Sequence, residues 1–105
     1  MPEANDISGR QFAAARALLR MSIERLVTLT GLDAAVIRAV EASKVQPAGP
    51  ENTVSALQTA LEVSGIRFLP DNGGGEGVQL KFSRSEARRL ATLEGEGGIV
   101  AADDV

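Results

Sequence analysis

The chain contains no cysteine and no histidine. The first absence excludes disulfides and thiolate metal sites. The second removes the commonest general base and the commonest metal ligand. Carboxylates, lysines and hydroxyls remain, but no pair of acids falls in a cleft-forming context. An enzyme is therefore not expected, and neither a cofactor nor a metal is called for. Tryptophan and tyrosine are absent as well, and Phe12, Phe68 and Phe82 are the only aromatic residues. A core must then be built from Leu, Val, Ile and Ala, which suits short packed helices. The hydrophobic fraction of 44% is high enough to argue against a broadly disordered chain. No apolar run reaches the length of a membrane span. The opening Pro2-Glu3-Ala4-Asn5-Asp6 lacks the basic start and apolar stretch of a signal peptide, so the expected location is cytoplasmic.

An excess of positive charge is missing too. The formal net charge is −3, and neither half of the chain is basic. Phosphate neutralisation supplies most non-specific affinity for nucleic acid. Any surface for DNA must therefore be a local patch.

The 105 residues amount to one domain. Ser8 followed three residues later by Gln11 forms a capping-box pattern. Phe12, Ala15, Leu18 and Leu19 follow at helical spacing, which predicts a first helix over 9–20. Ser22 caps a second helix carrying Leu26, Val27 and Leu29, and Gly31 stops it. Asp33 is placed to cap a third helix over 34–43, with Val36, Ile37 and Val40 on one face. Pro47, Gly49 and Pro50 mark a loop. Asn52 is placed to cap a fourth helix carrying Val54, Leu57, Ala60, Leu61 and Val63, which ends at Gly65. The apolar run 66–69 and the alternating run 78–82 are expected to pair as an antiparallel hairpin around a glycine-rich loop. That loop, Gly73-Gly74-Gly75-Glu76-Gly77, lacks the Gly-Lys-Ser/Thr ending of a phosphate loop and reads as a plain hairpin connection. Ser83 and Glu86 form a second capping-box pattern that predicts a short helix through Leu93. Its Arg84, Arg88 and Arg89 read as a solvated face. Residues 94–105 are expected to be a loose acidic tail.

Two short helices joined by a tight turn containing glycine, here around Gly31, are the local pattern of a helix-turn-helix. The succession Ala14-Ala15-Arg16-Ala17-Leu18-Leu19, Ser22-Ile23-Glu24-Arg25-Leu26, Gly31-Leu32, Val36-Ile37 and Glu41 resembles the Xre-like (Cro/repressor-type) helix-turn-helix regulators. Residues 65–75, Gly-Ile-Arg-Phe-Leu-Pro-Asp-Asn-Gly-Gly-Gly, are similar to the stretch after helix four in a bacterial subgroup of them. The resemblance spans about residues 8–82. It implies a compact Cro/repressor-like helix-turn-helix domain. With the elements read above, the expected fold is mainly α: four to five helices with that domain over 1–65, then a short β-hairpin and a short C-terminal helix over 66–93. There the exposed edges of a marginal two-stranded hairpin point to dimerisation. The resemblance also implies a sequence-specific, double-stranded-DNA-binding transcriptional regulator that works as a homodimer.

With about 100° per residue and Ala34 at 0°, Arg38 falls near 40°, Ala42 near 80° and Ala35 near 100°. Val36, Ile37 and Val40 fall between about 200° and 300° on the opposite side. Arg38 is the one outward residue able to bond guanine bidentately. Its other reading is a surface pair with Glu41. Ala34 and Ala35 would allow close approach. Arg10, Arg16, Arg20 and Lys44 are the phosphate candidates, with Ser22 and Ile23 at the start of the second helix. Phe68, Val78, Leu80 and Phe82 are the dimerisation candidates, against packing of the hairpin on its own helices. The alternative function is a protein-binding module on the same scaffold, such as an antiactivator or an antitoxin-like partner. The acidic balance, Ile23 where the family often has Gln, and the alanine-rich third helix favour it.

Overall fold

The computed structural model describes residues 3–81. The expected short C-terminal helix, the tail over 94–105 and Phe82 lie outside these residues. After a 3-10 turn at Ala4–Asp6 come four helices: α1 (Gly9–Leu18), α2 (Ile23–Thr30), α3 (Ala34–Ala42) and α4 (Glu51–Val63). Two strands follow, β1 (Ile66–Leu69) and β2 (Gly77–Leu80), so the architecture is mainly helical with one small antiparallel hairpin. No helix among the described residues is long and apolar enough to cross a membrane.

The caps explain most of the boundaries. Ser8 Oγ accepts from the Gln11 N–H, and the Gln11 side chain accepts from the Ser8 N–H, so both halves of the capping box are present. Helix α1 ends two residues before the expected point. The N–H of Met21 reaches back to the Arg16 carbonyl and that of Arg20 to the Ala17 carbonyl. This is a Schellman closure, and it holds Arg20 at φ 54°. An arginine pays for a left-handed backbone that glycine adopts freely. Arg20→Gly is expected to stabilise the chain by up to about 1 kcal/mol in urea unfolding; a loss of stability would show that the side chain does something the cap does not require.

Ser22 caps α2 through the Arg25 N–H, and Gly31 closes it at φ 76°, as the sequence suggests. Asp33 precedes α3, but only its backbone carbonyl is used, by Val36 and Ile37; its carboxylate makes no capping bond. The expected cap of α4 is displaced. Pro50, not Asn52, precedes the helix, and its carbonyl accepts from Thr53 and Val54. Proline has no N–H to satisfy and a preset φ, so it enters a helix without a side-chain cap.

Phe12, Ala15, Leu26, Ile37, Val40, Val54, Leu57 and Leu61 meet in one core with Ile66 and Phe68 from β1. Three residues expected to face inward lie near the surface: Val36, Leu29 and Val63, the last 81% exposed. Val36 sits at the edge of the α3 apolar arc, where Ile37 and Val40 already fill the space against α1 and α2. The hairpin pairs Ile66 with Leu80 and Phe68 with Val78. Strand β2 starts at Gly77, one residue earlier than the alternation suggests.

Phe68 changes role. It is fully buried, with its ring edge-on to Phe12 at 5.5 Å between centroids. A side chain spent in its own core is not free to contact a second subunit, so Phe68 leaves the dimerisation set. Residues Val78 and Leu80 stay partly exposed.

Candidate functional site

The region is built from the α1–α2 corner, the turn after α2, and α3. Helix α2 leads through Gly31, Leu32 and Asp33 directly into α3. Thr30 firms this turn: its hydroxyl donates to the Leu26 carbonyl at 2.7 Å and accepts from the Leu32 N–H at 3.1 Å. Leu32 packs partly against the core and acts as the plug between the two helices. Buried Ile37 and Val40 then fix the rotation of α3. They leave Ala35, Arg38, Ala39 and Ala42 exposed, with Ala34 half-buried. Val36 widens the small apolar strip beside Arg38.

Arg16 does not behave as a surface phosphate group. Its Nε and Nη2 donate to the two carboxylate oxygens of Glu41 at 2.8 and 3.0 Å, and its Nη1 donates to the Met21 carbonyl at 3.0 Å. The hydrogen bond to Glu41, with the charges of Glu41 and Glu24 behind it, raises the Arg16 pKa above its ordinary value, although burial pulls the other way. Three elements are thereby tied at one point: the end of α1, the residue before the α2 cap, and the last turn of α3. Arg16 is a positioning residue. The same geometry overturns the alternative pairing of Arg38 with Glu41, because Glu41 is taken by Arg16 from 25 residues away.

Among the described residues Arg20, Arg38 and Lys44 are exposed and make no ion pair or side-chain hydrogen bond. Arg20 and Ser22 flank Met21, which Arg16 holds against the α3 end. Arg38 lies one turn before Glu41 on α3. Lys44 lines a cleft of about 600 Å³ with Ser8, Arg10, Glu41, Gln46 and Glu76, whose two acids are already paired with Arg16 and Arg10. Ile23 packs partly against the core, so its side chain is not presented as a polar contact. What the start of α2 offers instead is its first-turn backbone N–H groups, beyond the one that Ser22 satisfies.

Arg25 was not singled out by motif reasoning. It is exposed and unpaired among the described residues, and it sits in the first turn of α2. A cation is disfavoured at a helix N-terminus, whose dipole is itself positive. That unfavourable placement is the signal that marks it, since a docked anion would relieve it.

The opposite end of α1 is occupied by structural bonds. The buried Gln11 amide donates to the carbonyls of Leu69 and Gly77, both at 2.9 Å, and so grips the closed end of the hairpin. Ser8 Oγ donates to Glu76 at 2.6 Å, and Arg10 lies 3.4 Å from the same carboxylate. These groups hold the hairpin on α1; Arg10, whose side chain stays 88% exposed, contributes only this one long contact among the described residues.

No family model matches the chain, and no curated protein or solved structure matches it either.

Proposed function

We propose that the chain is a sequence-specific DNA-binding transcriptional regulator of the Xre-like helix-turn-helix type, acting as a homodimer with α3 of each subunit in the major groove. The observation that carries this reading is the exposed face of α3: one unpaired arginine, Arg38, among alanines, on a helix set by a tight glycine turn. A helix entering a groove needs small residues where it approaches the bases and a forked donor where it reads them. Ala34, Ala35, Ala39 and Ala42 serve the first need and Arg38 the second. Arg20, Arg25 and the start of α2 at Ser22 and Ile23 would hold phosphates on the flank, with Lys44 past the end of α3.

One bidentate arginine gives roughly 1–3 kcal/mol of discrimination. That is thin for one subunit and adequate for two reading half-sites about 34 Å apart. The test is fluorescence anisotropy of the protein with a duplex from its own promoter region, compared with a scrambled duplex. Arg38→Ala removes the contact from both half-sites, about 2–6 kcal/mol together, and is expected to cut the preference between the two duplexes by at least about 30-fold. It should leave weak, salt-sensitive binding in place. Unchanged preference in the variant would remove Arg38 from the reading role.

A second reading is favoured by one specific observation. Val36 joins Ala35 and Ala39 as an exposed apolar strip on α3, and Asp33 immediately precedes that helix. Such a strip suits docking against an apolar helix of a protein partner. Salt-tolerant association with a protein, together with no preference for any duplex, would select this alternative.

A further inference from the structure

The two edges of the hairpin differ. Strand β1 carries Arg67 and is followed by Pro70, both of which discourage the addition of another strand. Strand β2, Gly77-Val78-Gln79-Leu80, has no charge and no proline, and its second edge has no partner among the described residues. Its hydrogen-bonding phase follows from one bond. The Lys81 N–H donates to the Gly65 carbonyl at 2.7 Å, toward β1. Backbone groups alternate in direction along a strand, so Gln79 and Gly77 also turn toward β1. Val78 and Leu80 therefore turn their N–H and C=O groups outward, onto the open edge.

We infer that β2 pairs antiparallel with β2 of a second copy across a two-fold axis at Gln79, giving a continuous four-stranded sheet. In that register Val78 faces Leu80 of the other copy twice, and each pair exchanges both backbone bonds. All four outward groups on each strand are then satisfied. The side chains agree with this register. Val78 and Leu80 lie on the same face as their β1 partners, buried Phe68 and Ile66, so the pairing extends the apolar face of the sheet across the axis. Gln79 is exposed on the other face and meets its own copy, amide to amide, with no like-charge conflict.

Charge selects the same orientation. The strand is preceded by Glu76 and followed by Lys81. Antiparallel pairing sets the acidic start of one strand beside the basic end of the other, whereas a parallel pairing would set like beside like. Glu76 already accepts from Ser8 and Arg10, and the Lys81 ammonium donates to the Glu62 carbonyl, so the two charges bias the orientation without forming a new ion pair. The occupant of this edge is thus a second copy of the chain, and the inference does not depend on whether the protein binds DNA.

The test is made without DNA. The chain has no cysteine, so single thiols can be placed cleanly at exposed sites on either edge. Opposed residues in a non-hydrogen-bonded antiparallel pair have Cα atoms about 4.5 Å apart, within the range of about 4.4–6.8 Å that a disulfide spans. Wild type is expected to sediment as a dimer at micromolar concentration. Gln79→Cys should oxidise to a covalent dimer at least tenfold faster than Arg67→Cys, with the helical circular dichroism of both matching wild type. As a second arm, Gln79→Lys and Gln79→Glu should each weaken self-association about fivefold, and a one-to-one mixture should restore it. A wild type still monomeric at about 100 µM, roughly a hundredfold above the micromolar range in which the dimer is expected, would overturn the inference. So would equal cross-linking at both edges, or charge variants that leave association unchanged.

Discussion

Phe68→Ala is expected to lower the unfolding free energy by about 4 kcal/mol. The ring is 1% exposed and meets Phe12 edge-on, between β1 and α1. Removing it leaves a cavity bounded by helices that cannot close around it, because Gln11 and Glu76 pin the hairpin to α1. A domain of this size has only about 5–15 kcal/mol in total. The variant should unfold near ambient temperature, and its loss of stability should be as large at protein concentrations where the chain is monomeric as where it is dimeric. Were Phe68 an interface residue instead, the variant would keep its folded monomer and lose only self-association.

The second large effect is expected at Gly9. A Cβ there would overlap the Val40 carbonyl oxygen and come within 2.8 Å of that of Ser43. Both are backbone atoms at the end of α3, so nothing flexible can give way. Gly9→Ala gains at most about 1 kcal/mol of helix propensity. Separating α1 from α3 costs about 3 kcal/mol and would also stretch the Arg16–Glu41 pair. A net loss of about 2 kcal/mol in urea unfolding is expected, together with weaker DNA binding. Gly31→Ala makes a useful contrast: nothing lies near its added methyl, so only the left-handed backbone is penalised. A Gly9→Ala variant as stable as wild type would mean that α1 and α3 are not in such close contact.

Local signals in the sequence were the readable ones. The Ser8–Gln11 box, the Ser22 cap and the Gly31 stop all act within four residues, and the hairpin follows from two short runs around a glycine loop. What the sequence hid acts across the chain. Gln11 has a legible local duty at the cap, but its amide also reaches carbonyls 58 and 66 residues away. Arg16 reads as a surface cation because nothing near it in sequence is acidic; its partner Glu41 arrives only through packing of α1 on α3. Phe68 and Phe82 share an alternation of polar and apolar residues that does not say which ring a core will claim. Pro50 displaced Asn52 as the entry to α4 because a preset φ substitutes for a side-chain cap. In the candidate site, the outward face of α3 was legible from the helical wheel. Arg25 was missed, since its significance lies in an unfavourable position and not in a motif.

The central claim is that α3 and the start of α2 form the DNA-contacting surface. The most direct measurement is an NMR titration of the ¹⁵N-labelled protein with a short duplex at low salt, where non-specific binding already suffices. Amide shifts are predicted to concentrate at Arg20–Arg25 and along α3 around Arg38, and to vanish as salt is raised. Shifts confined to the hairpin, or no salt-dependent shifts at all, would contradict the account.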